Sequence, residues 1–94
     1  MNNMQDRRKE LQLAIAQIIK SHRTKSITKS ADEIGMGKSI WADLENGIKD
    51  PQFSTFWRIA EAFDIKPHEL VREVEEKLGN NFSFLENTPT KNKF

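Results

Sequence analysis

Residues 28–47 read TKSADEIGMGKSIWADLENG, and their apolar spacing predicts two short helices meeting at a corner. Ile27, Ala31 and Ile34 recur at intervals of four and three, as one face of a helix does. Gly35 then stands where a helix end takes a left-handed residue. Gly37 stands just before Lys38, where a second helix starts with its amides open. From that second helix Trp41, Leu44 and, by the same spacing, Ile48 point inward, and Gly47 ends it. The outward set is Lys38, Ser39, Ala42, Asp43 and Asn46, with Ile40 near the boundary. No GxxxxGK[ST] pattern surrounds the glycines, so they mark a tight corner and not a phosphate-binding loop.

Two short helices joined in this way form a helix-turn-helix, whose second helix lies in a DNA major groove. The local charge agrees. Leu11 to Ala31 contains no carboxylate but carries Lys20, Arg23, Lys25 and Lys29, a one-sided basic approach to the pair. Residues 1–50 hold nine Lys/Arg against seven Asp/Glu and residues 51–94 hold six against seven, so the net charge of +1 conceals a basic first half. The outward face of the second helix mixes an ammonium, a hydroxyl, a methyl and a carboxylate. Short, varied groups of this kind discriminate base edges, whereas Lys and Arg alone serve phosphates.

The rest of the chain reads as support. Ninety-four residues with 36% apolar side chains make one domain with a single core. Without cysteine there is no disulfide framework, thiolate metal site or thiol nucleophile. His22 and His68 lack an acid or nucleophile at a recognisable spacing and read as solvated or capping groups. Glu69, Glu73, Glu75 and Glu76 read as a solvated helix face. Neither an enzyme, a zinc site nor a cofactor is expected. The apolar runs are too short for a membrane span or a secretory signal, and a cytoplasmic location is expected.

In order along the chain, a first helix runs from near Asp6 to between Ser21 and Arg23, with Leu11, Ala14, Ile15, Ile18 and Ile19 on one stripe. Ser26 or Thr28 caps the next helix. After the corner and the second helix of the pair, Gly47 to Pro51 forms a loop. Phe53, Phe56, Trp57, Ala60 and Phe63 then form an aromatic stripe expected to supply most of the core. Asp64 ends that helix in the left-handed conformation, and Pro67 opens the last one. There Leu70, Val71, Val74 and Leu78 face inward, Glu73 and Lys77 are spaced for an exposed ion pair, and Gly79 is the stop. Residues 1–79 make the domain, and residues 80–94 a mostly flexible tail. Phe82, Phe84 and Leu85 are the exception, an apolar trio that folds back or enters a partner's surface.

From Leu11 to Val71 the chain resembles the Cro/C1-type, or Xre, helix-turn-helix family of phage and bacterial repressors. The likeness is carried by Ala31, Gly35, the Glu45-Asn46-Gly47 triplet, Pro51 and the segment IAEAFDIKPHEL at 59–70. That segment is similar to the family's closing Leu-Ala-x-Ala-Leu-Gly-Val. The resemblance implies an all-α, five-helix, lambda-repressor-like domain, here with an extended last helix. It also implies binding to double-stranded DNA as a homodimer on a palindromic operator, with the third helix in the major groove. Base reading would fall on Lys38, Ser39, Ala42 and Asp43. Phosphate contacts would fall on Ser26, Thr28, Gly37, Asn46 and Lys49, with Lys25 and Lys29 as further anchors, and Lys20 would brace Glu45.

The departures from the family pattern are specific. Ile27 replaces a glutamine that often touches DNA, and Ser30 replaces a core leucine, so Ile27 is expected to turn inward into the space Ser30 leaves. Trp41 replaces a core isoleucine and needs a partner for its ring nitrogen. Asp43 is tolerable near phosphates if it accepts from a cytosine amino group. Two competing functions remain. One is an antitoxin that binds DNA and meets a toxin through Phe82, Phe84 and Leu85. The other is a protein-interaction module without DNA binding, for which Ile27 and Asp43 argue.

Overall fold

The computed structural model describes residues 4–85. They form five helices and, among the described residues, no strand: α1 (Met4–His22), α2 (Ile27–Glu33), α3 (Lys38–Glu45), α4 (Phe53–Ala62) and α5 (Pro67–Leu78).

Three successive helices end by one device. In α2 the Met36 amide donates to the Ala31 carbonyl at 2.9 Å and the Gly35 amide to Asp32 at 3.1 Å. In α3 Ile48 donates to Asp43 at 3.0 Å and Gly47 to Leu44 at 3.2 Å. In α4 Ile65 donates to Ala60 and Asp64 to Glu61, both at 2.9 Å. This crossed pair is the Schellman arrangement, which needs a left-handed residue after the helix and thereby satisfies the last carbonyls. Gly35, Gly47 and Asp64 supply it with φ of 68°, 70° and 62°. At the other end of α2 the Ser26 hydroxyl accepts from the Lys29 amide at 3.0 Å, and Pro67 occupies the start of α5. Local chemistry therefore fixes where these three helices stop, and packing decides how the helices lie.

Trp41, Ile19, Ile59 and Leu70 are fully buried and Leu44 nearly so. Helix α1 packs on both α3 and α5, α2 packs on α3, and α4 on α5. The Phe63 ring meets Trp41 edge-on at 6.1 Å and stacks on His22 at 5.4 Å. The exchange at Ile27 and Ser30 takes the expected form, with Ile27 packed against the core and Ser30 buried. A small, partly open cavity of about 30 Å³ bordered by Ser30, Trp41 and Phe63 remains.

Four expectations need correction. Phe53 and Trp57 are exposed, Phe53 by 70%, and it is Ile59 that joins Phe56 and Ala60 in the core. Both aromatics share the helical spacing of Phe56 and Ala60, but the inward arc of α4 is centred nearer Ile59. They lie on its edge, packed on each other at 5.9 Å, with the Trp57 ring nitrogen donating to Glu61 at 3.1 Å. Val71 is likewise exposed on α5. Ile48 is 57% exposed because the positive φ at Gly47 turns the chain away from the core. Glu73 pairs not with Lys77 but with His22 across α1 and α5, at 2.7 Å, so His22 is a half-buried clamp and not a solvated group.

Of the residues assigned to the tail, 80–85 are described. Phe82 is half-buried beside Leu78 and Gly79 and meets Phe84 edge-on at 5.5 Å, while Phe84 and Leu85 are exposed. Residues 86–94, also expected to be flexible, lie outside the described residues.

Candidate nucleic-acid interface

Helix α3 is held by its inner face. Trp41 needs a hydrogen-bond acceptor once buried, and Glu45, one turn later on the same face, accepts from its ring nitrogen at 2.7 Å. That leaves a carboxylate only 5% exposed, which requires a cation. Arg23 provides it at two points, Nε to Oε2 at 2.5 Å and Nη2 to Oε1 at 3.1 Å. Burial pushes the Glu45 carboxyl up. Hydrogen bonds from Arg23 and Trp41, with the charges of Arg23 and Lys20, outweigh it and hold the group below the usual carboxylate range. The hydrogen bond to Glu45 in turn raises the Arg23 pKa.

The brace therefore differs from the one the family resemblance implied. Lys20 is exposed and contributes only charge at longer range. Arg23 stands immediately beyond the last residue of α1, where the chain bends toward α2. Its guanidinium spans the bend, donating from Nη1 to the Lys25 carbonyl at 2.7 Å while its fork meets Glu45. A planar fork matches a carboxylate, which an ammonium does not. The signal available in the sequence was an arginine one turn beyond Lys20, within the basic segment.

With Trp41 and Leu44 inward, the outer surface of α3 carries Lys38, Ser39 and Asn46 exposed, and Ala42 and Asp43 half-exposed. Ile40 is also on the surface, 45% exposed. Gly37 precedes the helix with φ of −67° and ψ of 144°, and no side chain caps the amides that follow. A Cβ at Gly37 would make only ordinary contact with Ile40, at 3.8 Å. Nothing inside the chain demands glycine there, and what its absence of side chain leaves is clearance in front of the helix start.

Around this face the cations divide into two kinds. Lys49 stands 3.8 Å from Asp43, and Lys25 pairs with Glu33 at 2.5 Å. Lys29 and Lys38 have no ion pair among the described residues. Ser26, Thr28 and Lys29 border an open depression at the start of α2, together with Asp32 and Glu33. The Ser26 oxygen is engaged in capping, but its O–H remains a donor. Two further arginines hold the frame. Arg58 donates to the Ile34 carbonyl at 2.7 Å, tying α4 to the corner before α3, and Arg8 meets Asp50 at 2.9 Å, tying α1 to the loop after it. The arrangement thus presents one short helix, firmly seated, with a mixed polar face, an unobstructed start and lysines on either side.

A family model described as helix-turn-helix matches residues 15–70, from the middle of α1 to the first turn of α5. No curated protein and no solved structure is significantly similar to the chain.

Proposed function

The chain belongs to the Cro/C1-type, or Xre, helix-turn-helix family of DNA-binding regulators, and from that premise we propose that it is a repressor reading a palindromic operator as a homodimer. Helix α3 enters the major groove. Lys38 is its principal reader, directed at guanine O6 and N7, with Ser39, Ala42 and Asp43 completing the face. Lys25, Ser26, Thr28, Lys29, Gly37, Asn46 and Lys49 meet the backbone phosphates. The observation that carries this reading is the pairing of a firmly braced inner face at Trp41, Glu45 and Arg23 with an outer face of short, varied groups.

The homodimer follows from the two-fold symmetry of such operators. An apolar groove of about 260 Å³ supports it, bordered by Leu11, Phe53, Phe56, Val71 and Val74, with Phe53 and Val71 exposed at its rim. Action on chromosomal DNA places the protein in the cytoplasm, and no helix among the described residues is long and apolar enough to cross a membrane.

Selection of bound duplexes from random DNA tests the reading. Enrichment of a two-fold symmetric sequence is the expected result, and absence of any retained duplex at low salt overturns it. A second reading, that the protein is also an antitoxin, is favoured by the exposure of Phe84 and Leu85 beyond a half-buried Phe82. Its check is co-purification of a small partner with the intact chain and its loss on changing Leu85→Asp.

A further inference from the structure

Ile40 is the one large apolar side chain that α3 exposes. It belongs neither to the buried core nor to the partly buried side chains packed on that core. Helical side chains lean toward the N-terminus of their helix, so the branches of Ile40 cover the turn before its own Cα. The geometry agrees, since Cδ1 and Cγ1 of Ile40 lie 3.8 and 4.0 Å from where a Cβ on Gly37 would stand. Its methyl groups thus flank the start of α3, beside Lys38 and Ser39. In a helix-turn-helix that end of the second helix contacts base edges.

The major groove offers one kind of apolar group to such a side chain. The C5 methyl of thymine projects there, and the same methyl is present on 5-methylcytosine. A branched aliphatic chain has no donor or acceptor to spend on any other base edge. Against the C5–H of unmethylated cytosine or of uracil it loses contact area, and against a polar edge it leaves that edge unpaired. Resting on the DNA-reading role of α3 set out above, we propose that Ile40 is a specificity-determining residue that recognises the 5-methyl group of a pyrimidine next to the base read by Lys38.

Removing one methyl from such a contact weakens binding about three- to five-fold. The test uses the intact protein and the duplex recovered by selection. Each thymidine is replaced in turn by deoxyuridine, and in a parallel series each deoxycytidine by its 5-methyl form. If thymine is the target, one deoxyuridine position per half-site weakens wild-type binding by that factor and leaves Ile40→Ala indifferent. If 5-methylcytosine is the target, one methylated position strengthens wild-type binding and again leaves Ile40→Ala indifferent. Ile40→Val retains the effect in either case, and an unchanged melting temperature of both variants excludes a folding cause. A flat response in both series, with a sequence still enriched and Lys38→Ala still impaired, removes the role of Ile40 and leaves DNA reading by α3 intact. Failure to enrich any duplex removes both.

Discussion

Arg23 and Glu45, 22 residues apart, close a two-point ion pair beneath α3, and the same carboxylate accepts a hydrogen bond from the Trp41 ring nitrogen. Three elements meet there: the end of α1, the bend into α2 and the inner face of α3. Removing Arg23 leaves a carboxylate buried without its cation, which costs several kcal/mol, reduced here because Arg23 is 22% exposed. Arg23→Ala is expected to lower stability by about 2–3 kcal/mol in urea unfolding. Lys20→Ala is expected to change it by less than about 0.5 kcal/mol. Equal losses in the two variants would restore Lys20 as the brace.

The same pair sets an acid limit on stability. The Glu45 carboxyl is held below its ordinary value in the folded protein, so the unfolded chain takes up its proton first as pH falls. The stability it contributes is full above the unfolded value of about 4.3 and is lost as pH drops through the lower folded value. Melting temperature measured between about pH 6 and pH 3 is expected to fall in that window. Glu45→Gln is expected to be less stable at neutral pH but to show a shallower acid limb; an identical limb would mean that other carboxylates govern it.

The helix ends were legible in the sequence because each rests on residues a few positions apart. Gly35, Gly47 and Asp64 at left-handed positions, Ser26 as a cap and Pro67 at a helix start are all local chemistry. The inner face of α3 was legible at Trp41 and Leu44, but the same spacing carried Ile48 inward, where the turn at Gly47 takes it out. What failed was the choice between apolar neighbours on a helix whose apolar arc is wider than its buried face. In α4, spacing alone does not separate Phe53 and Trp57 from Ile59, and the neighbouring helices decide. The brace failed for a related reason: Lys20 and Arg23 are one turn apart, and only the bend after α1 tells which of them reaches Glu45.

Gly47 answers two demands and Gly35 one. Both have positive φ, but a Cβ on Gly47 would stand 2.7 Å from Cδ2 of Leu13, whereas nothing lies within 4 Å of one on Gly35. Gly35→Ala is expected to cost about 1 kcal/mol through the left-handed backbone alone. Gly47→Ala is expected to cost more, because the half-exposed Leu13 side chain must also move. In a Leu13→Ala background the excess should disappear while the backbone cost remains. A Gly47→Ala penalty unchanged by Leu13→Ala would show that the contact carries no energy.

The exposed edge of α4 separates folding from association. Phe56→Ala is expected to cost about 3–5 kcal/mol because it empties a buried site. Phe53→Ser removes an exposed ring and is expected to cost less than about 1 kcal/mol. If the groove beside Phe53 joins two copies, sedimentation of Phe53→Ser will show a smaller species at concentrations where the wild type is dimeric. An unchanged dimer would move the interface elsewhere while leaving the stability comparison standing.

Asp43 has two opposed effects that one substitution separates. On the face of α3 proposed to meet DNA, its carboxylate would repel phosphates, and 3.8 Å from Lys49 it would partly neutralise a cation proposed to meet them. On a duplex of arbitrary sequence, Asp43→Asn is therefore expected to strengthen binding. It should also steepen the dependence of log affinity on log salt by up to about one, since each phosphate neutralised contributes a slope of about 0.9. On the selected operator, a carboxylate that accepts from a cytosine amino group is worth about 1–3 kcal/mol of discrimination. The same variant is then expected to bind that sequence less well relative to the arbitrary one. Anisotropy titrations of both duplexes between about 50 and 200 mM salt measure the two effects together. A parallel gain on both duplexes would make Asp43 a purely electrostatic brake, and would leave Lys38 and Ser39 as the polar readers on that face.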